Sequence, residues 1–112
     1  MKPMLLHKND IEQLYATIDM VMKEPSRPFT ISDMADYAAM SETKFKKAFT
    51  QLFAAPVFIY ITSLKLQKAK DLLTEGDLPI RYIAKQVGYR YSGNFTKAFK
   101  KHFGTTPHKL RQ

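Results

Sequence analysis

The second half of the chain repeats the apolar pattern of the first half, and this repeat constrains the fold more than any other feature. Each copy has four apolar residues at helical spacing, a tight turn, and a run with a phenylalanine at every fourth position. The matched residues are Ile31, Met34, Ala35 and Ala38 with Ile80, Ile83, Ala84 and Val87, then Phe45, Ala48, Phe49 and Phe53 with Phe95, Ala98, Phe99 and Phe103. Each copy is therefore predicted to be a helix-turn-helix unit whose phenylalanines fill a core.

Capping residues and prolines predict where the helices begin. The predicted starts, in chain order, are Asn9 or Asp10, Thr30 with Asp33, Ser41, Pro56, Pro79, Ser92, and Thr106 with Pro107. No segment shows the alternation of a half-buried strand. The sequence thus predicts an all-α fold of seven helices. Two helix-turn-helix subdomains, residues 1–55 and 76–112, would be joined by a long connector helix over residues 56–75.

The basic residues concentrate in the second half of the chain. The whole sequence has 18 Lys plus Arg against 10 Asp plus Glu, a net charge of +8. Residues 1–55 hold 7 basic and 7 acidic residues, whereas residues 56–112 hold 11 basic and 3 acidic residues. Such an excess suits a polyanion, either nucleic acid or an anionic membrane surface. The absence of cysteine fits a reducing cytoplasm, and no apolar run approaches the roughly 18 residues of a membrane span.

If the phenylalanines are core residues, the opposite face of each second helix is left for a ligand. In the first copy that face shows Glu42, Thr43, Lys44, Lys46, Lys47, Thr50 and Gln51, and in the second Gly93, Asn94, Thr96, Lys97, Lys100 and Lys101. Lysine can bind guanine acceptors or phosphate, and asparagine can pair with adenine. A helix-turn-helix protein reads bases with the early part of its second helix. These faces therefore predict contact with double-stranded DNA.

The second copy resembles the signature of the AraC/XylS family of bacterial transcription regulators. The resemblance rests on Ile80-x-x-Ile83-Ala84-x-x-Val87-Gly88-Tyr89 and on Phe95-x-x-x-Phe99-Lys100-x-x-Phe103-Gly104-x-x-Pro107. Lys65-Leu66 and Ala69 in the connector also fit, and the resemblance covers about residues 8–112. It implies a seven-helix fold whose two recognition helices enter successive major grooves.

Matching the family position by position assigns DNA-contacting residues. The resemblance implies Thr43, Lys46, Lys47 and Thr50 in the first recognition helix, Ser92, Asn94, Thr96, Lys97 and Lys100 in the second, and Arg90 in the turn. It implies backbone-contacting or structural roles for Lys65, Lys100 and Lys101. Ala39 and Met40 depart from the family's first turn, and Gly93 leaves a base-reading position without a side chain. These departures bear on the DNA sequence preferred rather than on the fold.

The resemblance also implies partners. These are promoter DNA and RNA polymerase, with activation favoured over repression. Most members of the family carry an additional sensing or dimerisation domain. The chain is thus expected to be either a free-standing regulator or the DNA-binding half of a larger protein, and its start close to the first helix favours the second.

Other functional classes are less compatible with the sequence. The histidines His7, His102 and His108 form no metal-binding or catalytic motif, so neither an enzyme nor a metal or other cofactor is expected. A basic helical module that binds an anionic membrane or a protein partner is the alternative, but it would need a free apolar face. The charge distribution adds a hypothesis: residues 56–112 supply most phosphate affinity, and the first recognition helix contributes relatively more to specificity.

Overall fold

The computed structural model of the protein describes residues 3–112, which form seven α-helices. In chain order they are α1 (Lys8–Lys23), α2 (Ile31–Tyr37), α3 (Glu42–Phe53), α4 (Val57–Glu75), α5 (Ile80–Gln86), α6 (Ser92–Phe103) and α7 (Pro107–Arg111). Residues 3–112 contain no strand, so the predicted all-α class and the predicted number of helices are confirmed.

Three helices begin with the side-chain caps that the sequence predicts. At α2, Thr30 Oγ1 accepts a hydrogen bond from the Asp33 N–H at 3.0 Å, and the Asp33 carboxylate accepts one from the Thr30 N–H at 2.9 Å. The hydroxyls of Ser41 and Thr106 accept similar bonds at α3 and α7. Each cap satisfies a backbone donor that has no partner within the helix.

The starts of α1 and α6 differ from the prediction. The N-cap of α1 is His7, and Asp10 lies inside the first turn, where its carboxylate accepts the His7 N–H at 3.2 Å. The N-cap of α6 is Tyr91, and Ser92 is already helical. Five residues separate α5 from α6, whereas four separate α2 from α3, so Tyr91 rather than Ser92 takes the position of Ser41.

The chain divides by its contacts into two compact units, one ending at Ile61 and one formed by residues 62–112. In the first unit α1, α2 and α3 pack against one another. Their fully buried side chains include Leu14, Met34, Phe45 and Phe49. Burying a side chain of this size stabilises a fold by about 1.5–3 kcal/mol. This core leaves one side of α3 outside.

The core of the second unit forms around α5, α6 and the later part of α4. Its buried residues are Leu66, Ala69, Leu73, Ile83, Ala84, Val87, Phe95 and Phe99. Phe95 and Phe99 take the places of Phe45 and Phe49, with their ring centroids 5.6 Å apart. The prediction that these four phenylalanines are core residues is confirmed, because all four are fully buried. The third phenylalanine of each run, Phe53 or Phe103, is only partly buried.

The same backbone motif ends the first helix of both units. After α2, the Met40 N–H bonds to the Ala35 carbonyl at 2.9 Å, and Ala39 has φ of 59°. After α5, the Tyr89 N–H bonds to the Ala84 carbonyl at 2.8 Å, and Gly88 has φ of 95°. This is the Schellman arrangement, in which a left-handed residue closes the helix. The first unit thus uses an alanine where the second uses glycine.

Arg111 closes the second unit from the last helical residue of the chain. Its guanidinium donates hydrogen bonds to the Leu73 and Gly76 carbonyls, each at 3.4 Å, and to the Leu78 carbonyl. These carbonyls lie at the end of α4 and in the segment that follows it, where backbone carbonyls have no hydrogen-bond donor within a helix. Arg111 therefore fixes the path of the chain from α4 into α5.

No single helix in residues 3–112 is long and apolar enough to span a membrane. Taken together, α3 and α4 have the length and composition of a span, but a bend of 50° separates them.

Candidate nucleic-acid interface

The outer face of α3 carries the residues predicted to contact DNA in the first unit. The side chains of Thr43, Lys46, Lys47 and Thr50 are all exposed. They lie on the opposite side of the helix from the buried Phe45 and Phe49, which hold α3 in the core. The first unit therefore presents a face of two ammonium groups and two hydroxyls.

Lys44 belongs to this stretch of α3 but has another role. Its Nζ lies 3.1 Å from Oδ1 of Asp10 in α1, and 8% of the Asp10 residue is exposed. The hydrogen bond from Lys44 holds the pKa of the Asp10 carboxyl below its usual range, and the His7 N–H lowers the pKa further. The Lys44 side chain is 43% exposed, as expected for the outward face, but its charge is already paired with a carboxylate of the same unit.

The side chain of Gln51 also forms hydrogen bonds within the first unit. Its Oε1 accepts the Met4 N–H at 2.6 Å, and its Nε2 donates to the Met4 carbonyl at 2.6 Å. These two bonds attach the segment before α1 to the end of α3. Gln51 is exposed, as expected for the outward face, but the oxygen and the nitrogen of its side-chain amide are both already hydrogen-bonded within the first unit.

The second unit presents a basic face on α6. Ser92, Asn94, Lys97 and Lys100 are exposed, and Thr96 is half-buried. Gly93 is exposed between them, and a Cβ built on it would meet nothing within 4 Å. This face combines an amide, two hydroxyls and two ammonium groups around an open position on the helix surface.

The turn before α6 contains an aromatic residue that the sequence analysis did not identify as functional. Tyr91 is 61% exposed, and the Arg90 guanidinium lies over its ring at 5.5 Å. A guanidinium above an aromatic ring is attracted by the π electrons, which restricts its position. Arg90 is therefore oriented by Tyr91 at the start of the second recognition helix. The signal available in the sequence was the Arg90-Tyr91 dipeptide next to the helix start.

The lysines on the two faces are free to neutralise an external anion. Lys46, Lys47, Lys97 and Lys100 are exposed, and none has a carboxylate partner within residues 3–112. Lys65, in contrast, is half-buried, and burial lowers the pKa of its ammonium group. It also has a partner within the fold, which fits a structural cation.

No group of three or more His, Asp or Glu side chains in residues 3–112 is arranged to hold a metal ion. The polar side chains on α3 and α6 are instead donors of hydrogen bonds and positive charge, which suits phosphate oxygens and base edges.

Residues 34–112 match the model of a helix-turn-helix domain family. The chain is 32% identical over 109 residues to the RCS-specific HTH-type transcriptional activator RclR of Escherichia coli, which covers 97% of this chain and 37% of that protein. It is 34% identical over 88 residues to the HTH-type transcriptional regulator AlkR of Acinetobacter baylyi, covering 79% of this chain and 29% of that protein. The chain thus spans about a third of the length of these curated relatives.

Solved structures share the fold. The DNA-binding domain of the global transcriptional factor AdpA, in complex with a target DNA, superposes with a TM-score of 0.80, 20% identity, and coverage of 88% of this chain and 89% of that one. At that identity the likeness concerns the fold.

Proposed function

The chain belongs to the AraC-type family of helix-turn-helix transcription regulators, and from this we propose that it binds double-stranded promoter DNA in a sequence-specific way. In this proposal α3 and α6 each enter a major groove, and the two grooves are successive ones on the same duplex. The site read by the protein then consists of two half-sites about one helical turn apart.

One observation carries the proposal. In both units, the helix that follows the Schellman turn buries two phenylalanines and exposes lysines with no carboxylate partner in residues 3–112. A helix-turn-helix protein needs this division, because the buried side fixes the angle of the recognition helix and the outer side must reach base edges. Because both units have a helix with these two sides, the arrangement supports a DNA site made of two parts.

The proposed contacts follow from the chemistry of each exposed side chain. Lys47 and Asn94 carry groups that pair with guanine or adenine edges in the major groove. Lys46, Lys97 and Lys100 supply charge, and Thr43, Thr50, Ser92 and Thr96 supply hydroxyls. Arg90 contacts a base or a phosphate from the turn before α6. Each of these roles is a proposal for this chain.

Selection of bound duplexes from a random pool tests the proposal directly. Two preferred half-sites about 10 base pairs apart are expected, since that spacing is one turn of B-DNA. A single half-site would contradict the bipartite reading, and absence of any enrichment would contradict sequence-specific binding. Titration at several salt concentrations should show log affinity falling steeply and linearly with log salt.

A membrane surface is the alternative ligand for a basic helical chain. The buried phenylalanines argue against it, because their rings are committed to the two cores rather than available to lipid. Titrations with the selected duplex and with anionic liposomes at one ionic strength separate the two ligands. The proposal expects the duplex to bind more tightly, and the reverse order would contradict it.

The wider role is proposed by analogy with the relatives. RclR is described as an activator, and we propose activation through RNA polymerase as the outcome of promoter binding here, in the cytoplasm. The length of the relatives also supports a proposal that the chain works together with a sensing or dimerisation domain. Transcription in vitro from a promoter that carries the selected site, with and without the chain, measures whether the chain activates RNA polymerase.

A further inference from the structure

A shallow cleft opens beside the second recognition helix. It has a volume of about 360 Å³ and lies where the start of α5, the first turns of α6 and α7 come together. Its polar lining comes from Arg81, Ser92, Thr96, His108 and Arg111. Ser92 and Thr96 are four residues apart on α6 and so share one side of that helix. The cleft therefore continues the proposed DNA-binding face toward α5 and α7.

The lining has the chemistry of an anion site. It contains two guanidinium groups, an imidazole and two hydroxyls, and no acidic side chain. Arg81 and His108 are exposed, and neither has an ion pair within residues 3–112. Arg111 is committed to the carbonyls of Leu73, Gly76 and Leu78, so it contributes a fixed positive charge rather than a mobile ligand.

We propose that this cleft binds one phosphate of the DNA backbone and sets the depth and angle at which α6 enters the major groove. Arg81 is the principal ligand, because a guanidinium offers two parallel donors to phosphate oxygens. Ser92, Thr96 and His108 supply further donors. The inference rests on the proposed DNA binding. Its occupant is a backbone phosphate because Ser92 and Thr96 lie on the helix proposed to enter the groove.

This assignment separates the polar residues of α6 into two groups. Ser92 and Thr96 bind the phosphate backbone of the DNA. Such contacts position the protein but carry no sequence information. Asn94 remains for the base edges, and Lys97 supplies charge beside it. Ser92→Ala is therefore expected to weaken binding to all duplexes equally, whereas Asn94→Ala changes the preferred bases.

The first unit lacks the two guanidinium groups of this cleft. At the offsets of the internal repeat, the positions of Arg81, Ser92 and His108 are taken by Ser32, Glu42 and Val57. The one cation among the counterparts of the lining is Lys46, at the position of Thr96. A carboxylate and an isopropyl group in place of a hydroxyl and an imidazole disfavour a phosphate. The lining that the proposed phosphate site needs, two guanidinium groups without a carboxylate, is therefore found in the second unit, where the net positive charge of the chain also lies.

The test combines Arg81→Gln with single methylphosphonate substitutions along the selected duplex, each of which removes one phosphate charge. On the unmodified duplex, Arg81→Gln is expected to lower affinity about tenfold, the size of one charge-assisted hydrogen bond, and to reduce the salt slope by about 1. At one phosphate position the methylphosphonate should abolish the difference between wild type and variant. The affinity difference between wild type and His108→Gln should disappear at the same methylphosphonate position.

Lys85→Gln is the matched control, because Lys85 is an exposed lysine on the same short helix but does not line the cleft. The proposal is overturned if Arg81→Gln behaves like Lys85→Gln, or if no methylphosphonate position is coupled to Arg81. Circular dichroism and the melting temperature confirm that the variants fold. If the wild-type chain fails to discriminate between duplexes, the proposed function fails; if it discriminates without this coupling, only the cleft assignment fails.

Discussion

Asp10 Oδ1 lies 3.1 Å from Lys44 Nζ, and this ion pair ties the first turn of α1 to the first turn of α3. In the internal repeat, Lys44 occupies the position of Asn94, which is exposed on α6. Equivalent positions of the two recognition helices therefore differ in role. In the first unit the side chain holds the fold together, and in the second it is available to a ligand.

The ion pair predicts a pH-dependent stability for the first unit. Because the folded-state pKa of Asp10 lies below the ordinary value of 3.8, its contacts stabilise the fold at neutral pH. This contribution is lost as the pH falls through 3.8 toward the lower folded-state value. The difference in unfolding free energy between wild type and Asp10→Asn should therefore be largest above pH 5 and shrink below pH 4. Urea denaturation across this range measures it, and a constant difference would contradict the assignment.

Lys47→Ala and Asn94→Ala are expected to relax the base preference at a few positions, each costing about 1–3 kcal/mol of binding free energy at the preferred site. Competition between the selected duplex and single-base variants measures the effect.

Lys101→Ala, in the last turn of α6, should weaken binding to all duplexes by the same factor. Lys44→Gln serves as a control in α3: it should lower the melting temperature and leave base preference intact. Unchanged preference in Asn94→Ala would contradict the assignment of α6.

The uneven charge predicts unequal salt dependence for the two units. Residues 56–112 carry the whole net charge, and the exposed Lys100 lies within them. Lys100→Ala is expected to reduce the slope of log affinity against log salt by about 1, and Lys46→Ala by less. Titrations at four or more salt concentrations compare the slopes. Equal reductions in both variants would refute the proposed division between phosphate affinity and specificity.

The backbone conformation of Ala39 predicts that its replacement by glycine stabilises the chain. Ala39 adopts φ of 59° in the turn between α2 and α3, where a side chain is strained, while its counterpart Gly88 has φ of 95°. Ala39→Gly is expected to raise the unfolding free energy by about 1 kcal/mol, and Gly88→Ala to lower it by about 1–2 kcal/mol. Urea denaturation gives both values. If both substitutions destabilise the chain, backbone strain at Ala39 is not the controlling factor.

Arg111 predicts a local loss of stability in the second unit. Arg111→Ala removes the hydrogen bonds to the Leu73, Gly76 and Leu78 carbonyls and should cost about 1–3 kcal/mol. Amide exchange should accelerate at the end of α4 and in α5, with little change in α1–α3. Lys109→Ala, an exposed change on the same helix, is the control. Equal exchange rates in the two variants would contradict the role of Arg111.

The helices, the two cores and the faces left outside can all be predicted from the amino-acid sequence. Phenylalanines at every fourth position define a buried side because an α-helix returns to the same face every 3.6 residues, and Phe45, Phe49, Phe95 and Phe99 are all buried. The exposure of Lys46, Lys47 and Lys97 follows from the same periodicity.

Periodicity cannot show which outward-pointing side chain finds a partner on another helix, because that depends on the packing of elements far apart in sequence. The folded chain pairs Lys44 with Asp10, 34 residues away, and Gln51 with Met4, 47 residues away, and neither contact could be predicted from helical spacing. The folded chain also brings Arg81, Ser92 and His108, from three helices, to one cleft. Helical spacing assigned the faces of the molecule, and tertiary packing determined which charged groups on those faces remain available to DNA.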